Sequence, residues 1–223
     1  MCGRYSLLES GEEIAARFLL DAAELPPLPL PRYNIAPTTS VLTVTAAGGR
    51  RRAHLARWGF RPAWSRAPQP APINARVETV AASRLFGPAL RARRCVLPAS
   101  SFFEWRREGG RRLPLRFAPA GGGLWGLAGI WDEAPPGDGA GPAATCAILT
   151  TAANDLVGPV HDRMPVILRP EWEAAWLAPG PPGPELLAAV AAPYPPGDMV
   201  AHAVSTAVNN ARHEGPDCVA PLG

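Results

Sequence analysis

Short apolar runs bounded by Gly, Pro and polar residues recur along the chain and predict strands more often than helices. Strands are expected in MCGRYSL, at 40–46 and 52–58 around an AAGGR turn, and then in succession at 94–98, 102–106, 113–118, 124–131 and 145–151, with a last one at 199–206. Helical spacing is confined to 11–20, to a broken pattern over 79–93, and to 171–177 and 185–192; Gly87-Pro88 closes one helix and admits another. PPLPLPRYNIAPT and WGFRPAWSRAPQPAP read as irregular connections, because proline donates no ladder hydrogen bond and biases its predecessor to extended geometry. Residues 132–143, rich in Pro and Gly without apolar periodicity, read as an exposed loop. With no repeat and no linker long enough to divide two cores, the expectation is one α+β domain over 1–223, built around a mainly antiparallel sheet. The last ~10 residues are expected to fray.

Composition adds one sharp exclusion. All 22 basic residues are Arg, so lysine Schiff-base chemistry and a P-loop lysine are both ruled out, and the amine to consider is an N-terminal α-amine. The charge is uneven: residues 1–112 hold 18 Arg against 8 acids, while 113–223 hold 4 against 11. An Arg-rich half suits a phosphate-bearing partner, since guanidinium binds phosphate through paired donors; a solvated basic surface is the competing reading. No run of eighteen apolar residues and no basic-then-apolar leader occur, so no membrane partner is expected and the cytoplasm is the expected place. Four cysteines without a CxxC give no support to a zinc knuckle, and neither metal nor cofactor is expected. Cys95 and Cys146 sit in strand-like runs as small hydrophobes, and Cys218 lies near the fraying end.

Cys2 stands apart. A small second residue permits removal of Met1, which leaves a thiol and an α-amine on adjacent carbons. Their reference pKa values, about 8.5 and about 7.7–8.0, make both available near neutrality. Such a 1,2-aminothiol can form an imine with an aldehyde and then close a thiazolidine ring. The same pair can serve an N-terminal-nucleophile amidohydrolase, the thiol attacking an amide and the amine acting as base. The first residues do not separate these two chemistries.

Four other segments carry unexpected polarity. In INARVET an extended backbone would put Asn74, Arg76 and Glu78 on one face. SSFFEWR sets Glu104 between Phe103 and Trp105, where desolvation would raise a carboxyl toward acid–base use; an alternating surface strand is the alternative. VHDRMPVIL places His161, Asp162 and Arg163 just before an apolar strand, and RYNIAPT sets Asn34 in a Pro-flanked loop, where turn formation competes.

MCGRY, RYNIAPT, ARWGFRPAW, INARVET, SRLF, RRCVLPASSFFEW, GLAGIWD, ILTTAANDLVGPVHDRMPVIL and VSTAVNN occur in the order expected of SRAP (SOS response-associated peptidase) proteins, from residue 2 to about 210. The chain therefore resembles that family over nearly its whole length; the Pro/Gly-rich 132–143 and 179–183 stretches are individual to it. The resemblance implies a barrel-like, curved β-sheet core with peripheral helices. It also implies an abasic-site sensor that binds single-stranded DNA, including junctions with duplex, and crosslinks through Cys2 to the ring-opened sugar. Asn74 would lie beside Cys2 and hold the sugar, Glu104 would serve proton transfers, and His161 would assist ring opening. Arg4, Arg76, Arg84 and Arg163 would clamp phosphates, Asn34 and Thr150 would be contact residues, and Trp58 would stack or wedge near a DNA bend, an ordinary core tryptophan being the alternative. A monomer is expected, nucleoid-associated when crosslinked, with lyase activity and self-removal of Met1 as side activities. A peptidase or amidohydrolase, and a purely binding module for single-stranded DNA, are the alternatives.

Overall fold

A computed structural model describes residues 2–65, 71–136 and 141–222. In chain order its strands and helices are β1 (Tyr5–Leu7), α1 (Gly11–Phe18), β2 (Arg32–Ile35), β3 (Ser40–Ala47), β4 (Arg50–Trp58), β5 (Asn74–Arg76), α2 (Gly87–Ala92), β6 (Arg94–Ala99), β7 (Ser101–Glu108), β8 (Arg111–Pro119), β9 (Trp125–Glu133), β10 (Ala144–Ala152), β11 (Arg163–Pro165), β12 (Ile167–Leu168), α3 (Pro170–Leu177), α4 (Pro184–Ala191) and β13 (Met199–Ala203). No described helix is long and apolar enough to cross a membrane.

The β3–β4 hairpin turns at Gly48 and Gly49, whose positive φ angles of 58° and 77° are open to glycine at little cost. β3 then pairs with β6, β6 with β9, β9 with β10, and β10 returns to β4, closing a ring of five strands. The closing contact is the parallel one, Thr145 opposite Arg57 and Cys146 opposite Trp58; the others are antiparallel. Closure leaves none of these five strands at an edge. It also crowds the interior where β9 crosses β6: a Cβ at Gly129 would collide with Leu97 and stand 2.9 Å from the Cys95 sulfur. The barrel-like, mainly antiparallel core is thus observed, with helices outside it.

The second sheet is antiparallel in the order β13-β8-β7-β1-β2. Tyr5, Phe102, Phe117 and Trp58 fill the interior of the fold, with Phe102 stacked on Phe117 at 5.0 Å and Tyr5 edge-on to Trp58 at 5.4 Å. α1 starts on a reciprocal capping box between Ser10 and Glu13 and buries Ile14, Ala15 and Phe18.

Three expectations need correction. RYNI is a strand: its prolines, 31 and 37, bracket the segment rather than interrupt it, so β2 pairs with β1 through Tyr5 opposite Ile35 and Leu7 opposite Arg32. The 79–93 stretch yields a three-residue 3₁₀ turn at Val80–Ala82 and then α2, with Pro88 in the first turn where its missing N–H costs nothing. The C-terminal segment is docked: Leu222 donates to the Ala203 carbonyl at 2.9 Å, Val204 bridges Pro221, and Cys218 is buried. Loop assignments at 66–70 and 137–140 lie outside the described residues.

The charge asymmetry is partly internal wiring. Glu173 on α3 is buried and receives Arg17 of α1 at 2.6 and 3.2 Å and Arg51 of β4 at 3.0 Å, while Arg93 meets Asp132 at 3.1 Å. Arg94 is buried and donates to the carbonyls of Leu90, Trp176, Ala178 and Gly180, gathering the C-terminal ends of α2 and α3 where carbonyls lack helical partners. Glu173→Gln should lower stability by about 3 kcal/mol, since it strips one partner from a buried charge cluster. Urea unfolding checks this; a loss no larger than that of a surface substitution would refute it.

Candidate active site

β1 runs between β7 and β2, so the residues just before it enter the protein as an interior strand. Phe103 N–H donates to the Arg4 carbonyl at 3.0 Å, and the Cys2 sulfur lies 4.0 Å from that same oxygen. Cys2 is fully buried. β5 approaches from the barrel side, paired in parallel with β10 through Ile148 opposite Asn74 and Thr150 opposite Arg76. That register points Asn74 at the N-terminal segment: its Nδ2 donates to the Cys2 carbonyl at 2.9 Å, and its Oδ1 is buried with no hydrogen-bond partner among the described residues.

Glu104 arrives on β7 and is nearly buried, its neighbour Phe103 wholly so. Burial pushes its carboxyl up from the ordinary range, and the His161 ring nearby opposes the shift in part. Burial likewise pushes the Cys2 thiol up, and the adjacent Glu104 carboxylate adds to the effect. Burial thus opposes ionisation of both groups. His161 follows β10 and carries two opposite neighbours at one nitrogen. Nδ1 accepts from the Arg163 N–H at 2.9 Å and also lies 3.0 Å from Asp162 Oδ1. The structure brings Cys2, Asn74, Glu104 and His161 together.

The residues expected to meet DNA divide. Arg163 is held in a bidentate pair with Glu78 at 2.7 and 2.8 Å and donates to the Thr150 carbonyl at 2.6 Å, so it borders the same group beside Arg76. The Arg163 guanidinium holds the Glu78 carboxyl below its ordinary range. Arg76 and Arg84 are exposed. INARVET is extended only through Arg76; the chain turns at 77–79, which puts Glu78 off the common face and onto Arg163. Arg4 is half-buried and turned inward, donating to Asn34 Oδ1 at 2.7 Å and to the Val208 carbonyl at 2.8 Å. Asn34 is buried, its amide donating to the carbonyls of Asn210 and His213, so it fastens the C-terminal segment. Thr150 is buried as well.

Trp58 must be corrected outright. Its ring is 0% exposed and its indole N–H donates to the Ile73 carbonyl at 2.9 Å, which makes it core and unavailable for stacking. The aromatic that the following loop does present is Trp64, 62% exposed. ARWGFRPAW holds both tryptophans; the proline-rich context of the second was the signal for exposure. A cleft of about 510 Å³ lined by His54, Trp131 and Arg94 contains none of the Cys2 group, so depth alone does not mark this site.

Residues 1–211 match the family model described as SOS response associated peptidase (SRAP). The abasic site processing protein YoqW of Bacillus subtilis (strain 168) is 35% identical over 224 residues, spanning 98% of this chain and 99% of that protein. The abasic site processing protein YedK of Escherichia coli (strain K12) is 32% identical over 226 residues and is spanned completely, 100% of each chain. A crystal structure of a Bacteroides thetaiotaomicron protein superposes with a TM-score of 0.83 at 23% identity, over 99% of this chain and 100% of that one, which establishes the shared fold.

The raised Glu104 carboxyl fixes the sign of a pH effect. A carboxyl whose folded pKa lies above its unfolded value binds more protons when folded, so its contribution is favourable in acid and is lost as pH rises through the folded value. Glu104→Gln should thus be at least as stable as the parent at neutral pH, the difference closing toward acid pH. Denaturant midpoints across pH test it, and a variant clearly weaker at neutral pH would contradict the assignment.

Proposed function

The chain belongs to the SOS response associated peptidase (SRAP) family, and from that premise we propose that it processes abasic sites in DNA by capturing the sugar aldehyde on Cys2. The observation that carries the reading is the convergence of Asn74, Glu104 and His161 on a residue whose α-amine, once Met1 is removed, is the chain's sole primary amine.

The chemistry balances without a cofactor. The Cys2 amine adds to the aldehyde carbon to give a carbinolamine, which loses water to form an imine. Glu104, whose carboxyl burial biases toward its protonated form, supplies the proton that turns the departing hydroxyl into water and takes up the nitrogen's proton as the imine forms. The Cys2 thiol then adds across the C=N bond, sulfur to carbon and its proton to nitrogen, and closes a thiazolidine. The net change is protein plus DNA minus one water. His161, beside Glu104, assists ring opening, in which the closed-ring sugar hydroxyl loses its proton and the ring oxygen gains one as its bond to the anomeric carbon breaks. Asn74 fixes the Cys2 carbonyl, and its unpartnered Oδ1 accepts from the attacking amine or a sugar hydroxyl. An imine also acidifies the neighbouring sugar protons, so strand cleavage by β-elimination competes until the ring closes.

Single-stranded DNA, including its junctions with duplex, is the proposed partner. Arg76 and Arg84 offer exposed phosphate contacts, and Trp64 offers a face on which an unpaired base can stack. Nothing in amide hydrolysis needs either feature.

Intact mass after mixing the protein with a single-stranded oligonucleotide bearing one abasic site, without reductant, tests the proposal. The expected species is protein lacking Met1 plus DNA minus water, abolished by Cys2→Ala; Cys2→Ser should give an adduct only when a reductant traps the imine. No adduct from processed protein, with the abasic site intact, would favour an amidohydrolase. Arg76→Ala should weaken DNA binding equally across sequences and lower the slope of log affinity against log salt by about 1. A sequence-dependent loss would instead indicate base reading.

A further inference from the structure

The docked C-terminal segment assembles three side chains that the Cys2 chemistry does not use. His213 Nε2 lies 2.9 Å from both carboxylate oxygens of Asp217, and with the Cys218 sulfur these donor atoms all fall within 4.8 Å of one another. The group results from a tight turn. His213 N–H donates to the Asn210 carbonyl and Cys218 N–H to the Gly215 carbonyl, each at 3.0 Å, which folds HEGPDC back on itself. Gly215 is what permits the approach: a Cβ there would stand 2.6 Å from Asp217 Oδ1 and 3.4 Å from His213 Nε2.

The turn is also held from outside. Asn34 Nδ2 donates to the His213 carbonyl at 2.8 Å, and the Glu214 carboxylate accepts from the Tyr33 and Asn34 amides at 2.7 and 3.2 Å. Glu214 is therefore engaged elsewhere, while the neighbouring imidazole, carboxylate and thiol are turned toward one another. Such fixing of donors before an ion arrives is what a binding site requires.

We infer that His213, Asp217 and Cys218 form a zinc-class metal site that closes the C-terminal turn held against β2 by Asn34 and Glu214. The donor set decides the class. Thiolate and imidazole disfavour magnesium and calcium, and three protein donors of mixed N, O and S type suit tetrahedral zinc with water in the fourth place. Burial of Cys218 and partial exposure of His213 and Asp217 give the ion an anchored sulfur and an open side toward solvent. Binding breaks the His213–Asp217 hydrogen bond and replaces it with metal bonds. The Cys218 thiol releases its proton to solvent, and the His213 Nε2 proton either leaves or is replaced by one on Nδ1. The inference is independent of the reading of Cys2.

The test uses the full chain with Zn²⁺ or Co²⁺ as the probe. One equivalent of Co²⁺ should give a near-ultraviolet thiolate-to-cobalt charge-transfer band, displaced by Zn²⁺, and Zn²⁺ at a hundredfold excess over its Kd should raise Tm by about 5–10 °C. Cys218→Ser should abolish the band. His213→Gln and Asp217→Asn, at partly exposed positions that the fold tolerates, should each weaken Zn²⁺ binding at least tenfold while leaving the metal-free Tm nearly unchanged. Cys2→Ala should keep the band, which separates this site from chelation by an N-terminal aminothiol. Absence of any Co²⁺ band or Zn²⁺-dependent Tm shift in the parent protein would overturn the inference. So would a band that survives Cys218→Ser or disappears with Cys2→Ala.

Discussion

Residues Tyr5–Leu7 hydrogen-bond on both sides, to β7 and to β2, and this placement of the N-terminal segment inside a sheet constrains everything around Cys2. An exposed, fraying strand would let Cys2 sample many positions, and ordering it would cost entropy each time chemistry occurred. Here the segment is already fixed, by the ladder on either side and by one bond across the gap between the sheets, from Asn74 Nδ2 to the Cys2 carbonyl. β5 is only three residues long and exists because β10 offers it a parallel edge. The barrel thus holds Asn74, the other sheet holds Cys2 and Glu104, and the site forms at their seam.

Arginine does much of the long-range fastening. With no lysine in the chain, every buried cation is a planar group with five donors, suited to collecting several acceptors at once. Arg94 collects carbonyls from the ends of two helices, and Arg17 and Arg51 converge on Glu173. Arg4 bonds Asn34, and Asn34 in turn bonds the carbonyls of 210 and 213. That chain of contacts connects the N-terminal segment carrying Cys2 to the C-terminal turn. The N-terminal excess of arginine therefore records intramolecular pairing as much as it offers charge to a partner, and the surface positions Arg76 and Arg84 have to be separated from the interior ones by structure.

Much of this was legible in the sequence, and the failures share a cause. The hairpin at AAGGR, the apolar strands and the polar segments around Asn74, Glu104 and His161 announce themselves through local pattern, and the structure gathers those three about Cys2. β2 escaped detection because prolines dominate its neighbourhood, although neither lies within the four paired residues. Ring closure was expected from the family resemblance and not from local pattern, because β4 meets β10 across nearly ninety intervening positions and no local window contains both. Trp58 was misread since an aromatic near a proline-rich loop has the same local sequence whether it points in or out; the Ile73 carbonyl and the Tyr5 ring that enclose it come from elsewhere in the chain. His213, Asp217 and Cys218 were passed over for a similar reason: their grouping comes from a turn made possible by Gly215 and held by Asn34.

The electrostatics of the seam also order the proposed chemistry. A thiolate would attack an aldehyde readily but reversibly, whereas the amine can expel water and commit the carbon to nitrogen. Burial opposes ionisation of the Cys2 sulfur, and the nearby Glu104 carboxylate, whenever it forms, opposes it further. The thiol is thereby held back with its proton in place until the imine exists, when that proton is the one the nitrogen needs. The same burial biases Glu104 toward the protonated form that the earlier dehydration uses. A more solvated site would ionise the carboxyl, deprive the carbinolamine of its acid and leave the sulfur free to compete at the wrong step. Low polarity around Cys2 and Glu104 is thus part of the proposed mechanism, and the interior position of β1 is what provides it.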